Sequence, residues 1–177
     1  MCGTGEGAPK SEISIRQATD ADLAAIGEIL NGEIATSAYV YAEALVTIDE
    51  RREWLYSHMT AGLPVFVATE SADDDRVLGW GTLSVYRPSS GYRFTAEASV
   101  YVAPLAQRRG IGARLLSALC NEARACRMHA LVASIDSENL PSIALFERFE
   151  FREVARLDEV GRKLEAWRTQ LLFLRPV

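Results

Sequence analysis

The segment of this sequence with the clearest chemical potential is Gln107-Arg108-Arg109-Gly110-Ile111-Gly112, which combines glycines with polar and cationic side chains. Apolar residues at helical spacing follow from Ile111 onward, so the segment predicts the beginning of a helix. A helix N-terminus leaves backbone N–H groups unpaired, and glycines allow a phosphate to approach them. The segment lacks the lysine of a Walker loop and the spacing of a dinucleotide-binding loop. It predicts a pyrophosphate site. The alternative is an ordinary helix start whose glycines bind nothing.

A carboxylate and two guanidinium groups precede this loop. Glu97 lies on a predicted strand, on the face opposite Ala96 and Ala98. In a partly desolvated pocket a carboxylate can act as a general base near neutral pH. Arg87 and Arg93 lie in the loop before Glu97, and a guanidinium can hold a carboxylate through two hydrogen bonds. The simpler interpretation is a solvated glutamate and solvent-facing arginines.

The elements that must position these residues alternate between strands and helices. Capping boxes at Thr19–Asp22 and Thr47–Glu50 predict the starts of two helices. A hairpin tip is predicted at 73–75, and a loop containing Gly161 and Trp167 is predicted between the last two strands. The pattern predicts an α/β domain with a mixed central sheet of about six to seven strands flanked by about four helices. The predicted strands are at 13–15, 64–69, 77–86, 94–102, 131–135, 151–157 and 170–174, and two further helices follow Gly110 and Asn139.

Length and composition restrict the possible functions. The 177 residues favour one domain, and we expect residues 1–11 to be a disordered leader and 12–177 to be that domain. A net charge of −5 argues against a nucleic-acid partner. No stretch has the apolar length of a membrane span or the core of a signal peptide. The odd cysteine count and the two isolated histidines suggest neither a metal site nor a redox motif. We expect a cytoplasmic protein without metal.

Two motifs, in the correct order, resemble the GNAT superfamily of acetyltransferases. Gln-x-x-Gly-x-Gly after a Val-Tyr-Val strand is similar to its coenzyme A motif, and the run 138–147 is similar to its pantetheine-binding turn. The string Thr95-x-Glu97-x-Ser99-Val100-Tyr101-Val102 narrows the resemblance to the phosphinothricin and methionine sulfone N-acetyltransferases and their amino-acid N-acyltransferase relatives. Further matches occur at Asn31-x-x-Ile34-x-x-Ser37, at Trp54 and at Val160-Gly161-x-Lys163-x-x-x-Trp167.

The resemblance implies a GNAT fold, a homodimer, and direct transfer of acetyl from acetyl-CoA to the amine of a small amino-acid-like acceptor. It implies Glu97 as the base, directly or through water, and backbone N–H groups near Tyr101 and Val102 as oxyanion donors. The implied acceptor-binding residues are Tyr41, Arg87, Tyr92 and Arg93. The implied acetyl-CoA-binding residues are Val100, Tyr101, Val102, Gln107, Arg108, Arg109, Gly110, Ile111, Gly112, Ala113, Asn139, Ser142 and Phe146.

Four positions depart from the pattern of this branch. Phe146 stands where many superfamily members have a tyrosine and where phosphinothricin enzymes often have a histidine, and a phenylalanine cannot donate a proton to the CoA thiolate. Glu150 replaces a usual glycine, Tyr86 a common tryptophan, and Thr169 a usual aspartate. Two alternatives stay open at this point. The acceptor could be a polyamine, an aminoglycoside or a protein N-terminus, or the chain could be a non-catalytic acyl-CoA-binding module.

Overall fold

The computed structural model describes residues 13–70 and 76–177. In these residues seven strands form one sheet in the order β1-β2-β3-β4-β5-β7-β6. Neighbouring strands are antiparallel except β4 and β5, which are parallel. The strands are β1 (Ile13–Gln17), β2 (Val65–Glu70), β3 (Val77–Val85), β4 (Thr95–Val102), β5 (Ala130–Asp136), β6 (Arg152–Lys163) and β7 (Ala166–Pro176).

Two pairs of helices cover the two faces of the sheet. The helices of the described residues are α1 (Leu23–Thr36), α2 (Ile48–Ala61), α3 (Ile111–Ala125) and α4 (Leu140–Arg148). Helix α1 packs Ile26 and Leu30 onto one face, against Trp80 of β3. Helix α3 packs Leu116 and Leu119 onto the other face, in a core that also contains Phe146 of α4.

The ends of the first two helices follow from their sequences. Both predicted capping boxes form, the first on a 3-10 turn (Asp20–Asp22) that runs into α1. At the second, the Thr47 hydroxyl accepts the Glu50 N–H and the Glu50 carboxylate accepts the Thr47 N–H. Helix α2 ends at Gly62, which has a φ of 66°. Glycine adopts this left-handed conformation without the penalty that other residues meet.

The sheet divides in its middle. Strands β4 and β5 pair only from Thr95 with Ala130 to Glu97 with Val132. Beyond that point β4 continues to Val102 along β3, and β5 continues to Asp136 along β7. One backbone edge of β4 is therefore left without a strand partner from Ala98 onward, and we call this divergence of β4 and β5 the fork.

The predicted α/β architecture is confirmed, because the described residues form seven strands and four α-helices. The predicted leader at 1–11 and the hairpin tip at 73–75 lie outside those residues. The predicted loop around Gly161 and Trp167 is wrong, because β6 and β7 run through both residues and pair Gly161 with Arg168. Their turn is Leu164–Glu165, with φ of 49° and 61°. A two-residue turn of this kind normally carries Asn or Gly, so a turn at Leu164 and Glu165 has no signal in their residue types.

None of the helices in residues 13–70 and 76–177 has the length and apolarity needed to cross a membrane.

Candidate active site

The glycine-containing loop leads into helix α3 as the sequence predicts. Gly110 precedes the helix with a φ of 80°, and a Cβ placed on it would meet no atom within 4 Å. The first backbone hydrogen bond of the helix runs from the Arg114 N–H to the Gly110 carbonyl, at 3.1 Å. The N–H groups of Ile111, Gly112 and Ala113 lie ahead of that bond, where a helix offers them no carbonyl. The loop can therefore present three N–H donors and a helix dipole to an anion.

Close packing places this helix start beside β4 and α4. A Cβ on Gly112 would lie 3.1 Å from Leu145 Cδ2 and 3.7 Å from Val102 Cγ2. The Gln107 side-chain amide donates to the Val102 carbonyl at 3.4 Å, which ties the loop back to the strand. A larger residue at 112 would therefore push the Leu145 side chain by a few tenths of an ångström, so glycine suits the packing here as well as the approach of a phosphate.

The two arginines of the loop differ in their surroundings. Arg109 donates to a Glu70 carboxylate oxygen at 2.5 Å, so its charge is partly balanced by β2. Arg108 is exposed and has a φ of 60°. The geometry favours Arg108 over Arg109 as a side chain available to a bound anion.

The predicted residues of α4 have two kinds of environment. Asn139 caps the helix, since its Oδ1 accepts the Ser142 N–H at 3.2 Å. Phe146 is 4% exposed, and its ring packs edge-on against Phe151 with centroids 5.0 Å apart. This core position gives no support to a contact between the Phe146 ring and a cofactor. The same holds for the Ile111 side chain, which is 1% exposed and leaves only its backbone N–H available.

Glu97 lies at the fork, as the last residue of β4 that pairs with β5. It is half-buried and lies directly across from Ser84 of β3. Tyr101 is on the same face of β4, and its ring stacks on Trp80 at 4.4 Å. Burial, with smaller effects from the charges of Glu33 and Glu97, raises the pKa of Tyr101. Trp80 and Tyr101 therefore form a partly buried aromatic surface on the face of β4 that also carries Glu97.

The loop between β3 and β4 holds the arginines predicted to bind the acceptor. The Arg87 guanidinium lies over the rings of Tyr86 and Tyr92, at 5.2 and 5.6 Å from their centroids. The Arg93 guanidinium lies 4.4 Å from the Phe94 ring centroid and donates to the Ser90 carbonyl at 3.1 Å. Both arginines and Tyr92 are exposed. The loop begins and ends within a few residues of the Ser84–Glu97 pair, so these charges adjoin the fork.

Tyr41 lies in a polar cluster at the far end of β5. Its hydroxyl donates to Asp136 Oδ2 at 2.9 Å, and Asp136 accepts two hydrogen bonds from the buried Arg168, at 2.7 and 2.9 Å. Burial and the bond to Asp136 raise the pKa of Tyr41 above its usual range. Burial alone would raise the pKa of Asp136. Its hydrogen bonds, chiefly from Arg168, outweigh that effect and lower the pKa. The Tyr41 hydroxyl is thus already hydrogen-bonded to Asp136. The sequence-based prediction that Tyr41 binds the acceptor did not foresee this bond.

Further polar contacts, which sequence reasoning missed, hold the connection between α1 and α2. Lys163 is 4% exposed, and its ammonium donates to the carbonyls of Ile34 and Ala42. Asn31 exchanges two hydrogen bonds with the backbone of Val46, at 2.9 and 2.8 Å. A Cβ on Gly161 would lie 2.5 Å from the Tyr41 ring, so this position excludes a larger residue. The available signals were the motifs that contain Asn31, Ile34, Gly161 and Lys163, and neither motif revealed its partners.

Among the residues that the structure describes, no group of three or more His, Cys, Asp or Glu side chains is placed to hold a metal ion.

Comparison with known proteins identifies the family. The acetyltransferase (GNAT) family model matches residues 32–151, which is more than half of the chain. The chain therefore belongs to the GNAT acetyltransferases, which use acetyl-CoA as the acetyl donor. The fork, the glycine-containing loop and the cap of α4 all lie within or beside the matched range.

Individual relatives are similar over most of their length. The L-methionine sulfoximine/L-methionine sulfone acetyltransferase of Salmonella typhimurium is 38% identical over 88% of this chain and 89% of that protein. The L-amino acid N-acyltransferase MnaT of Escherichia coli is 39% identical over 88% of each chain. The structure of yncA from Salmonella typhimurium, solved with its cofactor acetyl-CoA, matches with a TM-score of 0.88 at 36% identity and covers 93% of both chains.

We expect Gly112→Asp to weaken acetyl-CoA binding about tenfold or more relative to Gly112→Asn, as measured by calorimetry. Both side chains must displace Leu145 by similar amounts, so their difference isolates the charge. A negative charge at a helix N-terminus stabilises the helix but repels a phosphate. Equal affinities in the two variants would place the pyrophosphate elsewhere, and thermal unfolding of both proteins controls for the packing defect.

Proposed function

We propose that this protein transfers the acetyl group of acetyl-CoA to the amine of a small amino-acid-like acceptor. The observation that carries the proposal is the position of Glu97, a carboxylate at the point where β4 leaves β5. The two relatives named above support this class of acceptor, because one is named for acetylating methionine sulfoximine and methionine sulfone and the other for acylating L-amino acids. Methionine sulfone, methionine sulfoximine and phosphinothricin are the first acceptors to test.

The residues of the fork and the loop fit a coenzyme A. When bound, acetyl-CoA supplies a thioester that an amine can attack. We propose that the N–H groups of Gly110 to Ala113, with Arg108, hold its pyrophosphate. The unpaired edge of β4, from Val100 to Val102, can exchange hydrogen bonds with the amides of the pantetheine arm, and Asn139 faces the arm from α4 in this proposal. These residues are half-buried and do not pair with β5, so their facing backbone groups need other partners, as the Val102 carbonyl has in the Gln107 amide.

Proton transfer is the chemical step in which this chain would take part. An acceptor ammonium has no lone pair, so we propose that Glu97, directly or through water, takes one of its protons before the nitrogen attacks the thioester carbonyl. Backbone N–H groups near Tyr101 and Val102 would stabilise the negative charge that develops on the carbonyl oxygen. When the C–S bond breaks, the nitrogen gives up its second proton to solvent and the departing thiolate takes one from solvent in this proposal, because the Phe146 ring is buried and has none to give.

Arg87 and Arg93 are the proposed partners of the acceptor's carboxylate. Each is exposed, and each is oriented by an aromatic ring. A guanidinium held in this way loses little further freedom when it binds a carboxylate. Tyr92 would supply part of the wall beside the acceptor, and Tyr41 would act from the polar cluster, with its hydroxyl held by Asp136.

We also propose that the enzyme is a cytoplasmic homodimer. Val160, Leu164 and Trp167 are exposed apolar residues on the β6–β7 hairpin, at the edge of the sheet. Exposed apolar clusters and unpaired edge strands commonly mark association surfaces. Of the cysteines within the described residues, Cys120 and Cys126 are free thiols, which suits a reducing compartment.

We expect Glu97→Gln to lower kcat by about 10²–10⁴-fold while acetyl-CoA still binds. Glutamine keeps the size of the side chain but cannot accept the proton. The pH–rate profile of the wild-type enzyme should fall on the acid side as Glu97 is protonated, and this acid limb should be absent from the variant. Steady-state kinetics across pH are measured with two acceptors of different amine pKa. A limb due to the enzyme stays at the same pH for both acceptors, whereas a limb due to the acceptor amine moves.

Glu33→Gln is the matched control for Glu97→Gln. Glu33 lies on α1, and its charge also reaches Tyr101. We expect this variant to keep the wild-type acid limb. If Glu97→Gln retains normal turnover while Glu33→Gln loses the limb, the base is Glu33 and the role proposed for Glu97 is wrong.

We expect at least one of Arg87→Ala and Arg93→Ala to raise the KM for methionine sulfone about tenfold or more, because a charge-assisted pair is lost. The KM for acetyl-CoA should stay nearly constant. Replacement by lysine keeps the charge without the paired donors and should give an intermediate KM.

The amide of methionine sulfone, which lacks the carboxylate, is the control acceptor, and its KM should not change in these variants. Wild-type kinetics in both alanine variants, or preferential turnover of spermidine, an aminoglycoside or an alanyl peptide, would contradict the proposed acceptor.

We expect Trp167→Asp to convert a dimer into a monomer, as measured by sedimentation equilibrium. Trp167 is 62% exposed, so the change should leave the folded monomer intact while placing a charge in the proposed interface. Arg124→Asp, at an exposed position of α3 away from the hairpin, is the control. A wild-type protein that sediments as a monomer would rule out the dimer directly.

A further inference from the structure

A buried histidine on α2 has no part in the chemistry proposed so far. His58 is 8% exposed and forms hydrogen bonds through both ring nitrogens. Its Nδ1 lies 2.8 Å from the Trp54 carbonyl oxygen, and its Nε2 lies 2.9 Å from the Ser84 hydroxyl oxygen. The Trp54 ring packs against it at 4.7 Å. These contacts hold the imidazole in one orientation between α2 and β3.

The two partners also determine where the protons are. A carbonyl oxygen can only accept, so Nδ1 must carry the hydrogen of that bond. Burial, with a smaller effect from the charge of Arg51, lowers the pKa of His58 despite the Trp54 carbonyl. The ring is therefore neutral near pH 7, and Nε2 has a lone pair. It follows that the Ser84 hydroxyl donates its single proton to His58.

Ser84 is also the residue directly across from Glu97 in the sheet. Opposite residues of an antiparallel pair share a face, with Cβ atoms about 4.5–5.5 Å apart. A serine hydroxyl at that distance could donate to the carboxylate of Glu97. A hydrogen bond of that kind stabilises the charged form and makes a carboxylate a weaker base. Because the proton of Ser84 is committed to His58, Glu97 does not receive it.

We propose that His58 is a positioning residue for Glu97: by accepting the Ser84 hydroxyl proton, it keeps that hydroxyl from weakening the carboxylate as a base. The inference rests on the function proposed above for Glu97. It assigns His58 no contact with either substrate, and it predicts a change in the pH dependence of the reaction, which a purely structural histidine would not produce.

The other ionisable groups around Ser84, Glu97 and His58 are Arg51 on α2, Tyr101 on β4 and Glu33 on α1, with Arg87 and Arg93 in the loop between β3 and β4. Arginine stays cationic in proteins. The pKa of Tyr101 is raised, so the phenol stays neutral over the range of an acid limb. Glu33→Gln in the same series removes the carboxylate on α1, and the double variant at His58 and Ser84, which lacks the imidazole, accounts for protonation of His58 itself.

The test compares the acid limb of kcat/KM among His58→Leu, Ser84→Ala and the double variant. In His58→Leu the hydroxyl is released and can donate to Glu97. We expect the limb to move to lower pH by about one unit, and the plateau to fall about threefold as the base weakens. Ser84→Ala removes the hydroxyl and should keep the wild-type limb. The double variant should also return to the wild-type limb, since no donor is left to be released.

A conservative variant supplies the rescue. In His58→Gln the side-chain oxygen can accept the Ser84 proton in place of Nε2, so the limb should stay where the wild type has it. His58→Met carries the same expectation as His58→Leu and replaces it if the leucine variant does not fold. Unfolding temperatures of all variants are measured alongside. A purely structural role lowers these temperatures but leaves every limb in place, and that result would overturn the inference.

The failure of this inference can be separated from the failure of the proposed function. If Glu97→Gln keeps the acid limb, Glu97 is not the base and the function proposed for it fails. If Glu97→Gln removes the limb but His58→Leu leaves it unchanged, only the role of His58 fails. A readout without turnover is the ¹³C resonance of the Glu97 carboxyl carbon, assigned by its loss in Glu97→Gln. Its titration midpoint should move to lower pH in His58→Leu and return in the double variant, and an unmoved midpoint counts against the inference.

Discussion

The separation of β4 from β5 after Glu97 is the constraint on which the rest of this structure depends. A strand in the middle of a sheet normally has both edges paired, and unpaired buried backbone groups are unfavourable unless another partner is found. Here β5 follows β7 along its whole length and β4 follows β3, so their facing edges diverge. The divergence creates an opening that a chain of amides can fill. The glycines that begin α3 and the Asn139 cap of α4 lie on the two sides of that opening, so one feature of the sheet organises the whole candidate site.

The polar contacts at the end of β5 stabilise the surroundings of this opening. A buried ion pair such as Asp136–Arg168 is expensive to desolvate, and its net contribution to stability is often small. Its benefit is geometric, because Asp136 also accepts the Tyr41 hydroxyl and so fixes the connection between α1 and α2. Lys163 fixes the same connection through two backbone carbonyls. The β6–β7 hairpin, distant in sequence, thereby holds the connection that leads into α2, and α2 brings His58 to Ser84.

The features that sequence predicted well are those with local causes. The loop from Gln107 to Gly112 is specified by its own glycines and by the apolar spacing that follows, and Glu97 by the alternation of its strand. The features that were missed depend on distant partners. Lys163 donates to the Ile34 carbonyl, 129 residues away in the chain, and Asp136 accepts the Tyr41 hydroxyl, 95 residues away, so no short pattern encodes these contacts. Residues in unusual conformations were also hidden: Leu164, Glu165 and Glu150 all have positive φ without being Gly or Asn. At 150, the departure from the usual glycine marks a left-handed position, with a φ of 64°.

The two faces of β4 show why core and site are inseparable in this fold. Ala96 and Ala98 are small and fully buried, so helix α3 can pack closely on one face. On the other face the same alternation presents Glu97 and Tyr101 toward α1 and α2. A shift of one residue in register would bury the carboxylate under α3 and expose the alanines. The apolar packing that stabilises the sheet therefore also determines which face of β4 carries the chemistry, and it brings Glu97 to the one position where β4 and β5 part.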